Sequence, residues 1–332
     1  MLKNFAYAKA PSLRQAAEWA NTTAADLSNG SEAVAQSTIV KAGGVDLLDM
    51  MKEGLLAPER LVAIHRLPGM DAIETGAEGP ARLGALVTLM DIAENRDLQR
   101  RYTALTEAAG HAATPNIRRM ATLGGNLMQR PRCPYFRSKH HNCLKKGGDT
   151  CFALTGPNEL NSIFDNEICA FVHASSVSTG LLAFDATVMT NQRQIPLADF
   201  FVTPGQDVGR ENVIQPGELI TGVALSGDRR VSAYQKTTPR DSYDWAMVDV
   251  AISAVRSGGN LSNYRVVLGA VGPKPMRATA VENYLNGKAL TDQTMRQAGE
   301  LATEGATPLS GNAYKVPMLA ATVRHVLEKL NA

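Results

Sequence analysis

The chain has 332 residues, of which 44% are hydrophobic, and its 34 basic side chains nearly balance 32 acidic ones. A sequence of this size can bury a substantial core and favours two or three domains. The balanced charge and the lack of a long apolar run argue against nucleic acid as a partner and against membrane insertion, and the N-terminus shows no export signal.

The first 52 residues predict two strands, each followed by a helix. After a short opening strand, a helix is expected to start at Pro11-Ser12. A second strand is predicted from Ser37 to Ala42, then a turn at Gly43-Gly44 and a helix from Asp46 to Lys52. A strand, a glycine pair and a helix are typical of an anion-binding turn, although most glycine pairs in turns serve the turn alone.

A second glycine pair, Gly124-Gly125, lies directly before the segment that is rich in cysteine. Between the two pairs we predict a strand from Arg82 to Thr88, a helix start, and an alanine-rich helix around Leu105 to Ala113. The two turns together would grip one pyrophosphate from both sides, and a side chain in place of any of the four glycines would fill the space that the phosphate needs. The Rossmann fingerprint G-x-G-x-x-G is missing.

All four cysteines of the chain fall in one segment with the spacing C-x9-C-x7-C-x17-C, and they are Cys133, Cys143, Cys151 and Cys169. Two disulfides or four unconnected thiols are the plainest interpretation, but disulfides belong mainly to oxidising compartments and small domains. Four thiolates in a glycine- and lysine-rich insertion indicate a soft metal centre. Zinc is an alternative, although its usual short C-x2-4-C pairs are absent; His140 and His141 are expected to be solvated loop residues.

Basic residues surround the thiols in the sequence. They are Arg130, Arg132, Arg137, Lys139, Lys145 and Lys146. Such cations would offset the negative charge of a cluster held by four thiolates, but they are equally typical of a solvated surface loop.

The ordered motifs of the chain resemble those of the medium, FAD-binding subunits of molybdenum hydroxylases. These motifs are KAGGVDLL, LGALVTL, ATLGGNLMQ, LLAFDATVMT, QPGELITGV, SAYQKTTPR and LGAVGPKPMRATAVE. The resemblance covers essentially the whole chain. CPYF after the second glycine turn, together with the cysteine spacing, is similar to aldehyde oxidoreductase medium subunits that carry a 4Fe-4S cluster. The resemblance therefore implies that the four cysteines ligate such a cluster beside the flavin.

The resemblance implies an α+β fold, with an FAD-binding domain of the vanillyl-alcohol-oxidase (PCMH) type and a smaller C-terminal α+β domain. We place the first FAD-binding subdomain at 1–60 and the second at 61–226, with the iron-sulfur insertion at 129–170. The C-terminal domain is expected at 227–332. It should contain a strand in NYRVVLGAVG and a closing helix in VPMLAATVRHVLEKL.

The resemblance also assigns the residues around FAD. Its pyrophosphate is expected against Lys41, Ala42, Gly43, Gly44, Val45, Asp46 and Leu47 on one side, and Thr122, Gly124, Gly125 and Asn126 on the other. Lys236 is expected near the flavin, where a cation would stabilise the reduced ring, unless it is a solvated strand-end lysine. Ile220 is expected in the wall of the flavin pocket or in ordinary core. Ser176 replaces a family aspartate that contacts the ribityl chain, and its uncharged hydroxyl would give a weaker contact.

The expected function is that of an electron-transfer subunit containing FAD and a 4Fe-4S cluster, in a heterotrimeric molybdenum hydroxylase that oxidises aldehydes. A large molybdopterin-binding subunit would oxidise the substrate, and a small 2Fe-2S subunit would pass electrons to this chain. One alternative is a self-contained flavin oxidase or dehydrogenase of the vanillyl-alcohol-oxidase type, and another is a zinc-stabilised assembly module. The expected compartment is the cytoplasm, or the periplasm if a partner carries the export signal.

Overall fold

A computed structural model of the protein describes residues 2–28, 36–76, 79–241 and 243–331. These residues form three β-sheets, each with helices packed against it. No helix in these ranges combines the length and the apolar character that crossing a membrane requires.

The N-terminal sheet has three parallel strands in the order β1-β3-β2. The strands are β1 (Ala6–Lys9), β2 (Thr38–Lys41) and β3 (Arg60–Ala63), and the helices are α1 (Leu13–Trp19), α2 (Ala24–Ser28) and α3 (Val45–Lys52). Helix α1 begins after Ser12, whose side chain caps it by accepting from the N–H of Gln15. Because β3 pairs with both other strands, this sheet continues past the predicted boundary at residue 60.

The central sheet has five antiparallel strands in the order β4-β5-β8-β6-β7. The strands are β4 (Ile73–Thr75), β5 (Ala81–Gly84), β6 (Thr187–Thr190), β7 (Gln194–Pro196) and β8 (Ile220–Leu225). The prediction of a strand from Arg82 to Thr88 was too long. The chain leaves the sheet after Gly84 because Thr88 caps the next helix in a reciprocal capping box with Asp91.

Short helices lie between β5 and β8 in the chain and carry the loops of the site. They are α4 (Leu89–Glu94), α5 (Arg96–Arg101), α6 (Thr103–Gly110), α7 (Pro115–Arg118), α8 (Leu123–Leu127), α9 (Pro134–Arg137), α10 (Ser176–Leu182) and α11 (Leu197–Phe200). The predicted alanine-rich helix corresponds to α6. Its alanines, together with Leu105, are buried in the largest apolar core of the protein.

The C-terminal sheet has four antiparallel strands in the order β12-β11-β10-β9. The strands are β9 (Val231–Thr237), β10 (Val248–Ser257), β11 (Asn260–Gly269) and β12 (Met276–Arg277), and the helices are α12 (Thr279–Leu285), α13 (Asp292–Leu301) and α14 (Lys315–Asn331). The predicted strand and closing helix are confirmed as β11 and α14. Leu319, Val323 and Leu327 of α14 share a core with Val250 and Ile252 of β10.

The cysteine-containing segment 129–170 has little regular structure beyond α9 and single turns at Leu144–Lys146 and Phe152–Leu154. Phe136 and Cys143 pack in one apolar cluster with Met50 of α3 and Leu61 of β3. On its other side, the carbonyl of Asn161 accepts from the buried ammonium of Lys315 at 3.0 Å. The segment is therefore packed against both the first and the last domain.

Candidate functional site

A cleft of about 350 Å³ lies between the N-terminal sheet, the central sheet and the C-terminal domain. This volume falls in the range of roughly 300–1,000 Å³ that is usual for small-molecule sites. The structure brings every residue that the sequence assigned to FAD into the wall of this cleft. These residues are Lys41, Ala42, Gly43, Gly44, Val45, Asp46, Leu47, Thr122, Gly124, Gly125, Asn126, Ser176, Ile220 and Lys236.

The first glycine turn offers to the cleft backbone donors that have no acceptor among the described residues. Gly44 adopts a left-handed conformation with φ +79° and forms the N-cap of α3 without a side chain that caps the helix. The first N–H groups of a helix have no intrahelical acceptor, so those that follow Gly44 are available to an anion, and the helix dipole favours negative charge there. This turn has the chemistry of a phosphate cradle.

The second glycine turn uses its N–H groups within the protein. Gly124 donates to the carbonyl of Ala85 at 2.9 Å, Gly125 to the hydroxyl of Thr122 at 3.2 Å, and Asn126 to the carbonyl of Thr122 at 2.8 Å. The expected grip on a pyrophosphate from both sides stays a prediction, and these three N–H groups already have acceptors within the protein. The turn supplies a wall opposite the first turn, while the free N–H donors lie on one side.

Gly43 brings the two turns into contact. A Cβ atom built on Gly43 would lie 1.8 Å from the carbonyl oxygen of Met120, two residues before Thr122. The space that a side chain would need is filled by the backbone of the opposite wall. The prediction that phosphate requires this space is corrected accordingly: the glycine permits close approach of protein to protein.

The carboxylate of Asp46 joins the first turn to the cysteine-containing segment. It accepts from the N–H of Arg130 at 2.9 Å and from the guanidinium groups of Arg132 at 2.8 Å and Arg137 at 2.7 Å. Asp46 is half-buried at the start of α3, so these cations also offset its negative charge beside the anion-binding turn. The sequence indicated the basic residues but not their partner.

Lys236 lies near the end of β9 and lines the cleft, with its ammonium donating to the carbonyl of His111 at 3.0 Å. Burial lowers the pKa of Lys236, and the carboxylates of Asp249 and Asp244 partly oppose this. Ile220, the first residue of β8, is buried in the cleft wall. A partly buried cation and an apolar wall are suited to an aromatic ring that becomes more negative on reduction.

Ser176 lines the cleft and connects it to a buried polar cluster that the sequence did not indicate. Its side chain lies beside Tyr234 and Asp249 and partly opposes the rise that burial causes in the pKa of both. The Tyr234 hydroxyl donates to Asp249 at 2.8 Å, and Thr179 donates to the other carboxylate oxygen at 3.1 Å. No clear signal of this cluster is present in the sequence, because the alternation in VDVAISAV assigns Asp249 to the polar face of a half-buried strand.

Aromatic residues of the loop before β10 also line the cleft and were not predicted. Tyr243 and Trp245 are about half exposed, and the guanidinium of Arg132 lies 4.4 Å from the centre of the Trp245 ring. The C-terminal domain thereby contacts the cysteine-containing segment across the cleft. The signal in the sequence that could have predicted this part of the cleft was the presence of two aromatic residues in an otherwise polar loop.

The four cysteines line a second, narrow cavity walled by aromatic residues, and none forms a disulfide. The neighbouring Cys169 thiol lowers the pKa of Cys151 to about 6, and Cys151 together with burial raises the pKa of Cys169. Nearby backbone N–H groups also lower the pKa of Cys151, and the side-chain amide of Asn161 donates to Cys133 Sγ at 3.7 Å. Within the described ranges, no three histidine, cysteine, aspartate or glutamate side chains are arranged to hold a single metal ion.

The predicted basic environment of the thiols is largely neutralised by acidic partners. Arg130 and Lys145 are buried and share the carboxylate of Glu211, with Arg130 Nε at 2.8 Å and Lys145 Nζ at 2.8 Å. These two residues are neither solvated nor available as uncompensated charges. Lys139 and His140 are exposed, as a solvated loop requires, whereas His141 packs between the rings of Tyr135 and Phe152 at 5.2 Å.

We expect Glu211→Gln to lower the free energy of unfolding by about 3–5 kcal/mol, because it leaves two buried cations without a carboxylate. Burial alone would raise the pKa of Glu211, but Arg130 and Lys145 outweigh it and lower this pKa to about 2. The stabilisation is thus complete above the unfolded-state pKa of about 4.3 and declines as the pH falls from there towards 2.

Denaturant unfolding at pH 7 and at pH 3 tests this prediction. Glu328→Gln is the matched control, since Glu328 pairs with Arg324 on the surface and should contribute less than about 1 kcal/mol. Equal stability of the two variants at pH 7 would contradict a structural role for the buried pair.

Two family models match the chain over nearly its whole length. Residues 3–225 match the FAD binding domain in molybdopterin dehydrogenase, and residues 232–330 match the CO dehydrogenase flavoprotein C-terminal domain. The first match includes both glycine turns and all four cysteines. The second begins at β9 and includes Lys236 and Asp249.

Curated relatives and solved structures agree with these matches. The chain is 34% identical over 301 residues to the aldehyde oxidoreductase FAD-binding subunit PaoB of Escherichia coli, covering 88% of this chain and 91% of PaoB. It is 27% identical to the carbon monoxide dehydrogenase medium chain of Hydrogenophaga pseudoflava, covering 86% of each. A structure of reconstituted CO dehydrogenase from Oligotropha carboxidovorans has the same fold, with a TM-score of 0.74 at 20% identity over 100% of this chain and 99% of the other.

Proposed function

Because the chain belongs to the family of FAD-binding subunits of molybdenum hydroxylases, we propose that it is the electron-transfer subunit of an aldehyde oxidoreductase. In this proposal it holds FAD and a 4Fe-4S cluster and works beside a large molybdopterin-binding subunit and a small 2Fe-2S subunit. Substrate is oxidised in the large partner, and electrons reach an acceptor through the FAD of this chain. The observation that carries the proposal is the single cleft that unites every residue expected around FAD.

The cleft has the parts that an extended dinucleotide needs. The free N–H groups after Gly44 would bind the pyrophosphate, and the contact of Gly43 with Met120 sets the width of the cleft at that point. Lys236 and Ile220 would lie against the flavin ring. FAD, when bound, supplies the acceptance and release of electrons, and the chain binds, orients and electrostatically adjusts it.

The second cavity supports a cluster of several irons. In such a cluster each thiolate binds a different iron, so the four sulfurs surround a volume instead of meeting at one ion. The side-chain amide of Asn161 donates to Cys133 Sγ at 3.7 Å, and hydrogen bonds to the sulfurs are a recognised means of adjusting iron-sulfur centres. Free thiols in aromatic surroundings are consistent with the same assignment.

Reduction by substrate distinguishes this function from a self-contained flavin oxidase. We expect the isolated chain, loaded with FAD and free of molybdenum, to keep its flavin absorbance unchanged when aromatic or aliphatic aldehydes are added without oxygen. The assembled three-subunit complex should lose that absorbance with the same aldehydes. The physical reason is that the chain provides sites for FAD and thiolate ligands, whereas oxidation of the aldehyde requires the partner.

Stopped-flow absorbance records the result, and a panel of alcohols extends the test to substrates of flavin oxidases. Dithionite should bleach the flavin of the isolated chain and thereby show that the cofactor is competent. Rapid bleaching of the isolated chain by any aldehyde or alcohol would overturn the proposal and place the active site in this chain.

A further inference from the structure

Asp249 differs from the other buried carboxylates of the described chain in having hydroxyl partners only. Glu211, Glu218 and Glu282 are equally buried, and each forms an ion pair with an arginine or a lysine. Asp249 is 1% exposed and accepts from Tyr234 and Thr179, with the side chain of Ser176 close by. A buried carboxylate without a contacting cation is costly, and such groups concentrate at functional sites.

The fold makes room for this carboxylate. Gly269, at the end of β11, is the register partner of Asp249 in β10. A Cβ atom on Gly269 would lie 1.7 Å from Asp249 Oδ1 and 2.2 Å from Thr179 Oγ1. No side chain larger than hydrogen fits there unless the carboxylate and its threonine donor move, so the glycine serves the polar cluster.

Two neighbours of Asp249, Ser176 and Lys236, line the cleft. Ser176 lines the cleft beside this cluster. It has one hydroxyl proton, and donating that proton to Asp249 would leave the serine oxygen as an acceptor towards the cleft. Lys236 is the register partner of Asp249 on β9 and also lines the cleft. Asp249 thus lies directly behind both a hydroxyl and an ammonium group that face the same ligand.

We propose that Asp249 is a positioning residue for the FAD cleft, which fixes Ser176 as a hydrogen-bond acceptor for a polyol hydroxyl and partly offsets the charge of Lys236. The negative charge of Asp249 remains behind the wall of the cleft. The ligand therefore contacts the acceptor oxygen of Ser176 and the ammonium of Lys236, whose positive charge Asp249 partly offsets. Burial raises the pKa of Asp249, and the neighbouring hydroxyl groups of Tyr234 and Ser176 partly oppose this. The proposal rests on FAD occupying the cleft with its ring at Lys236.

The test uses the full chain loaded with FAD and the variant Asp249→Asn. We expect FAD to bind about tenfold more weakly, because the amide no longer holds Ser176 as an acceptor. We also expect the midpoint potential of the flavin to rise, since an uncompensated Lys236 stabilises the reduced ring. Equilibrium dialysis and a spectroelectrochemical titration measure the two quantities. Glu282→Gln is the matched control, because it removes a buried carboxylate of the same domain that does not line the cleft, and both quantities should remain at their wild-type values.

A double-mutant cycle with Ser176→Ala separates positioning from general stability. If Asp249 acts on FAD through Ser176, Asp249→Asn should weaken FAD binding much less when Ser176 is already alanine. Full additivity, or a folded Asp249→Asn protein with unchanged affinity and potential, overturns the proposal. Thr179→Val is the second variant should Asp249→Asn fail to fold: it removes one donor to Asp249 outside the cleft wall, and unchanged affinity and potential in it would equally overturn the proposal. Wild-type protein that binds no FAD would instead refute the proposed function.

Discussion

Serine in place of any one of Cys133, Cys143, Cys151 or Cys169 is expected to remove bound iron and the broad absorbance that underlies the flavin bands. A hydroxyl is a poor ligand for iron in a sulfide cluster, and a cubane requires all four thiolates. Iron should fall from about four per chain to near zero. FAD should largely remain, because the four cysteines line the second cavity and not the FAD cleft.

Metal analysis and absorbance of the purified variants measure this outcome. His140→Ala is the matched control: His140 is exposed within the same segment and should leave the iron content unchanged. Zinc in place of iron in the wild-type protein would identify the assembly-module alternative. Unchanged iron in all four serine variants would show that the cluster lies elsewhere.

Valine in place of Gly43 is expected to weaken FAD binding by about 5- to 150-fold, as an overpacking cost of about 1–3 kcal/mol corresponds to that range. Its Cβ would meet the Met120 carbonyl at 1.8 Å, and a backbone atom of the opposite wall cannot swing away as a flexible side chain can. The walls must separate, which pulls the N–H groups after Gly44 away from the pyrophosphate.

Fluorescence titration of apoprotein with FAD measures the affinity. Gly205→Val is the control, because only Thr203 Oγ1, at 4.0 Å, lies near the added Cβ atom and Gly205 has no left-handed backbone. Wild-type affinity in a folded Gly43→Val protein would contradict the close contact of the two turns.

Local patterns in the sequence were sufficient to predict the main strands and helices and many of the residues that line the cleft. The glycine turn before α3 and the apolar periodicity of α14 are signals within a dozen residues, and both are confirmed. Partners far apart in the chain carry no such signal. Arg130 lies 81 residues before Glu211 and 84 residues after Asp46. Neither of these two pairings could therefore be predicted from a local sequence pattern.

The distinction between the two glycine turns was also beyond the sequence. Both are glycine pairs at the start of a helix, but only the structure shows that Thr122 and Ala85 consume the N–H groups of the second. Asp249 was missed for a related reason. The buried environment of its carboxylate is formed by Gly269 of β11 and Thr179 of α10, which are distant from Asp249 in the sequence.

The ionic connections of segment 129–170 bear on protein engineering. Removing the cysteine-containing loop to obtain a simpler flavoprotein would take Arg132 and Arg137 from Asp46, and Arg130 and Lys145 from Glu211. A deletion would therefore have to neutralise both acids as well, for example with Asp46→Asn and Glu211→Leu. Segment 129–170 therefore cannot be exchanged between homologues by itself. Inserting it into a homologue without a cluster would also require carboxylates at the positions of Asp46 and Glu211.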